Sequence, residues 1–83
     1  MTGTGAHRLG QDLLSKIVSR EFPPGLKLPT ETELASMYNC GRSTVREALR
    51  YLDSVGVTKS RQGSGAIVLD YRTEGKTFDL LVP

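Results

Sequence analysis

Apolar residues recur at helical spacing in the first part of the chain. Between Arg8 and Arg20 they lie three or four residues apart, and charged residues occupy the opposite side. The apolar positions are Leu9, Leu13, Leu14, Ile17 and Val18. The two consecutive prolines that follow cannot continue a helix, because proline has no N–H to donate. The pattern predicts an amphipathic helix over Arg8–Arg20, then an extended link at residues 26–29.

A capping box predicts a short second helix. Thr30 and Glu33 have the spacing at which the threonine hydroxyl accepts from the Glu33 amide while the glutamate accepts from the Thr30 amide. Glu31 and Glu33 also suit the positive end of a helix dipole. Capping explains these acids better than a catalytic carboxylate pair does, because helical residues two apart point in different directions. The helix is expected to end near Tyr38.

The turn Asn39-Cys40-Gly41 separates this helix from a longer one, predicted at Arg42–Val55. Asn and Gly tolerate the positive φ that a sharp turn needs. At about 100° per residue, the longer helix has an apolar stripe and a separate polar face. The stripe holds Val45, Ala48, Leu49 and Leu52, and the polar face holds Arg42, Ser43, Arg46 and Arg50. Gly56 is its expected C-terminal stop.

Two β-strands are predicted next, at Val57–Ser60 and Ala66–Asp70, because β-branched residues favour strands. The glycine-rich stretch Arg61–Gly65 forms the hairpin tip between them. Three helices followed by a two-stranded hairpin make a winged helix-turn-helix, an α+β fold that is mainly α. We expect one core, formed by Leu13, Ile17, Leu34, Val45, Leu49, Leu52 and Ile67.

A chain of 83 residues makes one small domain. We divide it into a flexible tail at residues 1–7, the winged domain at 8–70 and a linker at 71–83. One cysteine, Cys40, excludes an internal disulfide and a multi-cysteine zinc site, and we expect it to be a small buried hydrophobe. His7 is expected to be solvated. No apolar run approaches the roughly 20 residues that cross a bilayer. These features favour the cytoplasm and argue against a membrane partner and an enzyme.

Positive charge is concentrated in one part of the chain. The net charge is only +2, yet residues 42–61 hold five bases and two acids. The bases are Arg42, Arg46, Arg50, Lys59 and Arg61. Arginine can bond guanine or a phosphate through two parallel N–H groups, so this segment suits a nucleic-acid partner. The alternative is an ordinary solvated helix face, with Arg50 paired to Glu47 or Asp53. The turn, the capping box and the hairpin at matching spacings favour nucleic acid.

Several runs of residues carry a family resemblance. They are Leu28-Pro29-Thr30-Glu31, Glu33-Leu34-Ala35, Arg42-Ser43-Thr44-Val45-Arg46-Glu47-Ala48-Leu49, then Leu52, Gly56 and Gly63-Ser64-Gly65. Together, over about Leu9–Val68, they resemble the DNA-binding domain of GntR-family bacterial transcription regulators. The resemblance implies sequence-specific binding of double-stranded DNA, with helix 42–55 in the major groove and wing residues 61–65 at the minor groove or backbone. It also implies a homodimeric regulator on a palindromic operator, in most members of the family a repressor and less often an activator, whose small-molecule effector binds a C-terminal domain beyond these residues.

The resemblance also implies roles for individual residues. On α-helix 42–55, Arg42 and Arg46 match arginines that contact bases or phosphates, and Ser43 and Thr44 match residues whose hydroxyls contact the DNA backbone. In the wing, Gly63 matches a glycine that enters the minor groove, and Gln62 matches a side chain that reaches bases. Thr32 stands where the fatty-acid-responsive branch often has an arginine contact, which implies a different operator. The candidate DNA-binding residues are Thr30, Thr32, Arg42, Ser43, Thr44, Arg46, Arg50, Lys59, Arg61, Gln62 and Gly63. No catalytic, cofactor-binding or metal-binding residue is predicted.

The turn departs from the family pattern. The family usually has Gly-Val-Ser before the arginine, whereas this chain has Asn39-Cys40-Gly41, which removes the serine N-cap. A second class of function also fits the sequence, in which the winged helix is a protein-interaction or structural module and its basic face is idle. The salt dependence of duplex binding distinguishes the two, because phosphate contacts give a steep slope.

Overall fold

The computed structural model describes residues 5–61 and 65–70. Within them the chain forms three helices and then two antiparallel strands, which confirms the predicted winged-helix fold. The elements are α1 (Ala6–Val18), α2 (Glu31–Met37), α3 (Arg42–Ser54), β1 (Thr58–Arg61) and β2 (Gly65–Val68). Most of the predicted tail, the centre of the hairpin tip and the linker at 71–83 lie outside the described residues.

Helix α1 begins and ends two residues earlier than its predicted bounds. Ala6 and His7, assigned to the flexible tail, form its first two residues, so the predicted tail boundary at residue 7 is wrong. The His7 side chain is exposed, as expected. The helix stops at Val18 because Arg20 adopts a left-handed backbone, with φ of 72°, which turns the chain out of the helix. None of the described helices is long and apolar enough to cross a membrane.

The wing pairs with a third segment, the extended link predicted at residues 26–29. In the hairpin, Thr58 lies opposite Val68 and Lys59 lies opposite Ile67. On the other side of β2, the Leu28 amide donates to the Ala66 carbonyl at 2.8 Å, and the Val68 amide donates to the Leu26 carbonyl at 2.9 Å. The connection between α1 and α2 therefore lies along β2 and closes that edge of the hairpin.

The core lies between the three helices and the inner face of the wing. Six of its seven predicted members are buried: Leu13, Ile17, Leu34, Val45, Leu49 and Leu52. The seventh prediction, that Ile67 belongs to the core, is wrong. Ala66 and Val68 face the core instead, and successive strand residues point to opposite faces, so Ile67 lies on the outer face, partly exposed. Strand β2 also begins one residue before the predicted Ala66.

Helices α1 and α3 approach closely at Gly10. This glycine is buried in the middle of α1, and a Cβ atom placed on it would lie 3.0 Å from the Tyr51 ring of α3. The missing side chain lets the aromatic ring pack directly on the α1 backbone. This contact helps to set the direction of α3, which carries five of the eleven candidate DNA-binding residues.

Candidate nucleic-acid interface

Helix α3 is anchored in the core along one stripe and presents arginine along another. Val45, Ala48, Leu49 and Leu52 are buried. The predicted polar face is exposed at all four of its positions, Arg42, Ser43, Arg46 and Arg50. Because the buried stripe fixes how the helix is rotated, the arginines are held outward on a rigid element. The structure thus brings together on α3 the residues that the sequence grouped there.

The turn before α3 is tight in spite of its unusual sequence. Asn39 adopts positive φ, 52°, and the Cys40 amide donates to the Ala35 carbonyl at 2.9 Å. Cys40 is partly buried and packs against the core. Gly41 is the N-cap of α3, and no side-chain hydrogen bond caps the helix. Thr44, in the first turn of α3, is half-buried.

The capping box predicted at the start of α2 is confirmed. The Glu33 amide donates to Thr30 Oγ1 at 3.1 Å, and the Thr30 amide donates to Glu33 Oε1 at 2.8 Å. Both Thr30 and Thr32 are exposed beside this first turn. The reciprocal bonds fix the backbone from which Glu31 projects.

An ion pair between Glu31 and Arg46 joins α2 to the exposed face of α3. Arg46 Nε donates to Glu31 Oε2 and Arg46 Nη2 donates to Glu31 Oε1, both at 3.2 Å. The hydrogen bond and charge of Arg46 lower the pKa of the Glu31 carboxyl, and the same contact raises the pKa of Arg46. The Arg46 side chain is still 52 % exposed. Sequence reasoning assigned Glu31 only to the helix dipole and missed this contact.

The wing is held against α3 by Asp53. The Thr58 hydroxyl donates to Asp53 Oδ1 at 2.6 Å, and the Ser60 amide donates to Asp53 Oδ2 at 3.2 Å. Asp53 was considered only as a partner for Arg50. Within the described part of the chain, Arg50 forms no ion pair with either Asp53 or Glu47. Asp53 therefore positions the wing relative to α3 and leaves Arg50 available on the exposed face.

Two lysines flank Ile67 on the outer face of the wing. Lys59 lies opposite Ile67 across the hairpin, and Lys27 forms a bridge to Ile67 from the other side. Arg61 is also exposed, two residues beyond Lys59 on the same face of β1. Lys59 and Arg61 could be predicted from the sequence, whereas Lys27 could not, because no local pattern indicates that the link pairs with β2.

Two of the candidate residues, Gln62 and Gly63, lie outside the described residues. The other nine are described, and apart from half-buried Thr44 they are exposed. They lie at the N-cap and first turn of α2, on α3 and on β1. In residues 5–61 and 65–70, no group of three His, Cys, Asp or Glu side chains could hold a metal ion. These nine residues thus supply hydroxyl and guanidinium donors and positive charges, which suit a polyanion.

Comparison with known proteins finds the same architecture in bacterial regulators. A family model described as "Bacterial regulatory proteins, gntR family" matches residues 6–68. The chain is 37 % identical over 62 residues to the HTH-type transcriptional regulator Mce2R of Mycobacterium tuberculosis. The aligned region covers 75 % of this chain and 26 % of that protein. It is 43 % identical over 61 residues to the arabinose metabolism transcriptional repressor of Geobacillus stearothermophilus. This aligned region covers 74 % of this chain and 17 % of that protein.

A solved structure of a DNA complex is also similar. The AraR(DBD) chain in complex with operator ORX1 superposes with a TM-score of 0.73 at 33 % identity, covering 76 % of each chain. The chain spans about a quarter or less of the length of the curated relatives named above. The family match covers all three helices and both strands of the described fold. The chain therefore belongs to the gntR family of bacterial regulatory proteins, and its fold is that of their winged-helix DNA-binding domains.

Proposed function

We propose that this domain binds operator DNA for a bacterial transcription regulator, with α3 in the major groove and residues 61–65 at the minor groove or the backbone. The observation that carries the proposal is the exposed face of α3, where Arg42, Arg46 and Arg50 lie on a different face from the buried apolar stripe. An arginine held on a rigid helix can present two parallel N–H groups to guanine O6 and N7. The operator complex of the similar AraR domain supports this use of the fold.

The remaining candidate residues have supporting roles in this proposal. Ser43 and Thr44 lie in the first turn of α3, where hydroxyls and free backbone amides suit a phosphate. Thr30 and Thr32 lie beside the α2 N-terminus and offer further hydroxyls. Lys59 and Arg61 are exposed on β1 and would neutralise backbone charge near the wing, while Gln62 and Gly63 would contact the minor groove.

The regulator as a whole is proposed to be a cytoplasmic homodimer that represses transcription from a palindromic operator. Groove-reading helices usually act in pairs related by the two-fold axis of a dimer. Residues 71–83 would lead to a C-terminal domain that binds the small-molecule effector. The length of the relatives supports this organisation, since the matched region is about a quarter of Mce2R, and another relative is named as a repressor. The proposed role of the domain is to bind, with no catalytic step.

The test begins with selection of a preferred duplex from random DNA, followed by titration of the selected and random duplexes by fluorescence anisotropy. Arg46→Ala should weaken binding to the selected duplex by about 1–3 kcal/mol and relax base preference at one position per half-site. Thr44→Ala should weaken all duplexes nearly alike, because phosphate contacts carry no sequence information. Equal losses on both duplexes with both variants would make Arg46 a phosphate contact.

Salt titration separates this function from an interaction module. The logarithm of the binding constant should fall steeply and linearly with the logarithm of the salt concentration if the domain neutralises several phosphates. A winged helix that serves only to bind protein would show no such slope on duplex DNA. That result would reject the proposed function altogether.

A further inference from the structure

Resting on the proposed function, we infer that Glu31 is a positioning residue for base recognition: it holds one edge of the Arg46 guanidinium so that the other edge faces a guanine. The guanidinium group has two edges that can form paired hydrogen bonds, a side edge with Nε and one Nη, and an end edge with the two Nη atoms. Glu31 occupies the side edge through Nε and Nη2. One N–H on each of Nη1 and Nη2 remains along the end edge, in the parallel arrangement that guanine O6 and N7 accept.

Both partners of this ion pair stand on elements that the core fixes. The capping box holds the first turn of α2, and the adjacent Leu34 is buried. Val45, directly before Arg46, is buried as well. Arginine loses considerable rotamer freedom when it is held in one orientation. Because Glu31 already restricts the Arg46 side chain in the free protein, less conformational entropy is lost when Arg46 binds the correct base.

Fold stability does not explain the contact. The side chains of Arg46 and Glu31 are 52 % and 35 % exposed, and exposed ion pairs contribute little to the free energy of unfolding. A carboxylate near the DNA surface also repels phosphates, which disfavours binding to any duplex. Glu31 should thus lower affinity for random DNA while favouring the correct base. These opposite effects distinguish positioning from a general role in structure or charge.

The experiment compares Glu31→Gln with Glu33→Gln in the same chain. Each removes one negative charge from the first turn of α2, and glutamine preserves the capping box at position 33. Of these two glutamates, Glu31 contacts Arg46, whereas Glu33 accepts from the Thr30 amide. Selected and random duplexes are titrated at several salt concentrations, and thermal melts are recorded for each variant.

Glu31→Gln should lower the ratio of selected to random binding by about 5- to 10-fold, the lower end of the range that one bidentate arginine–guanine contact provides. Random binding should stay the same or rise, because Arg46 becomes free to approach a phosphate. The lost preference should fall at the position that Arg46→Ala also relaxes. When Arg46 is already replaced by Ala, adding Glu31→Gln should not change the binding ratio any further. The single variants Glu31→Gln and Glu33→Gln should have the same melting temperature.

Several outcomes would overturn the inference while leaving the proposed function intact. Equal changes in the binding ratio for the two glutamine variants would reduce Glu31 to a charge effect. Lost preference at a different base position, or a loss that persists without Arg46, would make Glu31 a base contact in its own right. A gain on selected and random DNA alike would show that Glu31 masks Arg46. Failure of the wild-type chain to prefer any duplex would instead reject the proposed function.

Discussion

At the C-terminal end of α2, the Tyr38 hydroxyl donates to Asp12 Oδ2 of α1 at 2.5 Å. Burial, together with this hydrogen bond and the negative charge of Asp12, raises the pKa of Tyr38 well above its usual value. The hydroxyl donates only while it is protonated. Its contribution to stability is therefore complete below about pH 10, the value for an unfolded tyrosine, and is lost as the pH rises toward the folded-state pKa.

Tyr38→Phe should accordingly remove a stabilising contact whose effect depends on alkaline pH. At pH 8 we expect the variant to be less stable by about 1 kcal/mol, the usual contribution of one hydrogen bond. Above pH 10 the difference from wild type should shrink, because the unfolded wild-type chain releases the tyrosine proton first. Urea denaturation of both proteins at pH 8 and near pH 11 measures the two differences. A gap that stayed constant with pH would contradict this account of Tyr38.

Residue pairs within one helical turn could be predicted, while pairs across elements could not. Thr30 and Glu33 were identified correctly because their spacing alone brings them together. Glu31 and Arg46 are 15 positions apart, so their contact depends on how α2 packs against α3. The end of α1, two residues before the predicted Arg20, could not be predicted either, since nothing in the local sequence indicates a left-handed backbone at Arg20. On α3 the sequence thus revealed which arginines face outward, but not which side chain holds Arg46.

Among the elements, the wing depends on α3 through a buried hydroxyl. Thr58 is only 2 % exposed, and its hydroxyl donates to Asp53 at 2.6 Å. A buried polar group without a partner costs free energy, whereas two apolar groups of similar shape can replace a hydrogen-bonded pair at little cost. The side-chain contact between the wing and α3 therefore involves one carboxylate, which also accepts from the Ser60 amide.

Asp53→Ala should destabilise the domain by about 1–3 kcal/mol, since it leaves the Thr58 hydroxyl buried and unpaired. Adding Thr58→Val should recover part of that loss, so the double variant should be more stable than the sum of the single effects predicts. Chemical denaturation of the four proteins in this cycle gives the coupling free energy. Strictly additive effects would mean that the two side chains do not act together.

The strands show why element type was easier to predict than strand phase. β-branched residues and a glycine-rich tip indicated a hairpin, and the hairpin is present. The run Ala66-Ile67-Val68 is apolar throughout, so it contains no alternation to show which side faces inward. The larger Ile67 was placed in the core, but Thr58 pairs with Val68 and both are buried, which puts Ile67 outside.

For the molecule as a whole, the small core makes each buried side chain count. A chain of this size typically has a free energy of unfolding of only several kcal/mol. Leu49 is 6 % exposed in the middle of α3, and Leu49→Ala should cost about 2–5 kcal/mol. Thermal melts followed by circular dichroism should show a large part of the variant unfolded at 37 °C. Met37→Ala is the matched control, because Met37 is 63 % exposed and its truncation should leave the melt unchanged.

If Leu49→Ala had the same melting temperature as Met37→Ala, the assignment of Leu49 to the core would be wrong. The helix phase behind that packing was predictable because four apolar positions on α3 agree on one stripe. The close approach of α1 and α3 at Gly10 was not, since a single glycine inside a helix pattern does not reveal what packs over it.

The pairing of residues 25–28 with β2 makes the wing part of the folding unit. Ala66 and Val68 form one wall of the core, and the Gly25 amide donates to the Val68 carbonyl at 2.8 Å. These contacts join chain segments about 40 positions apart, so they carry a loop-closure cost that only cooperative folding can recover. The helices alone would expose that side of the core to water. A shortened chain that ends after α3 would accordingly not be a smaller DNA-binding module, because the wing completes the hydrophobic core that holds α3 in place.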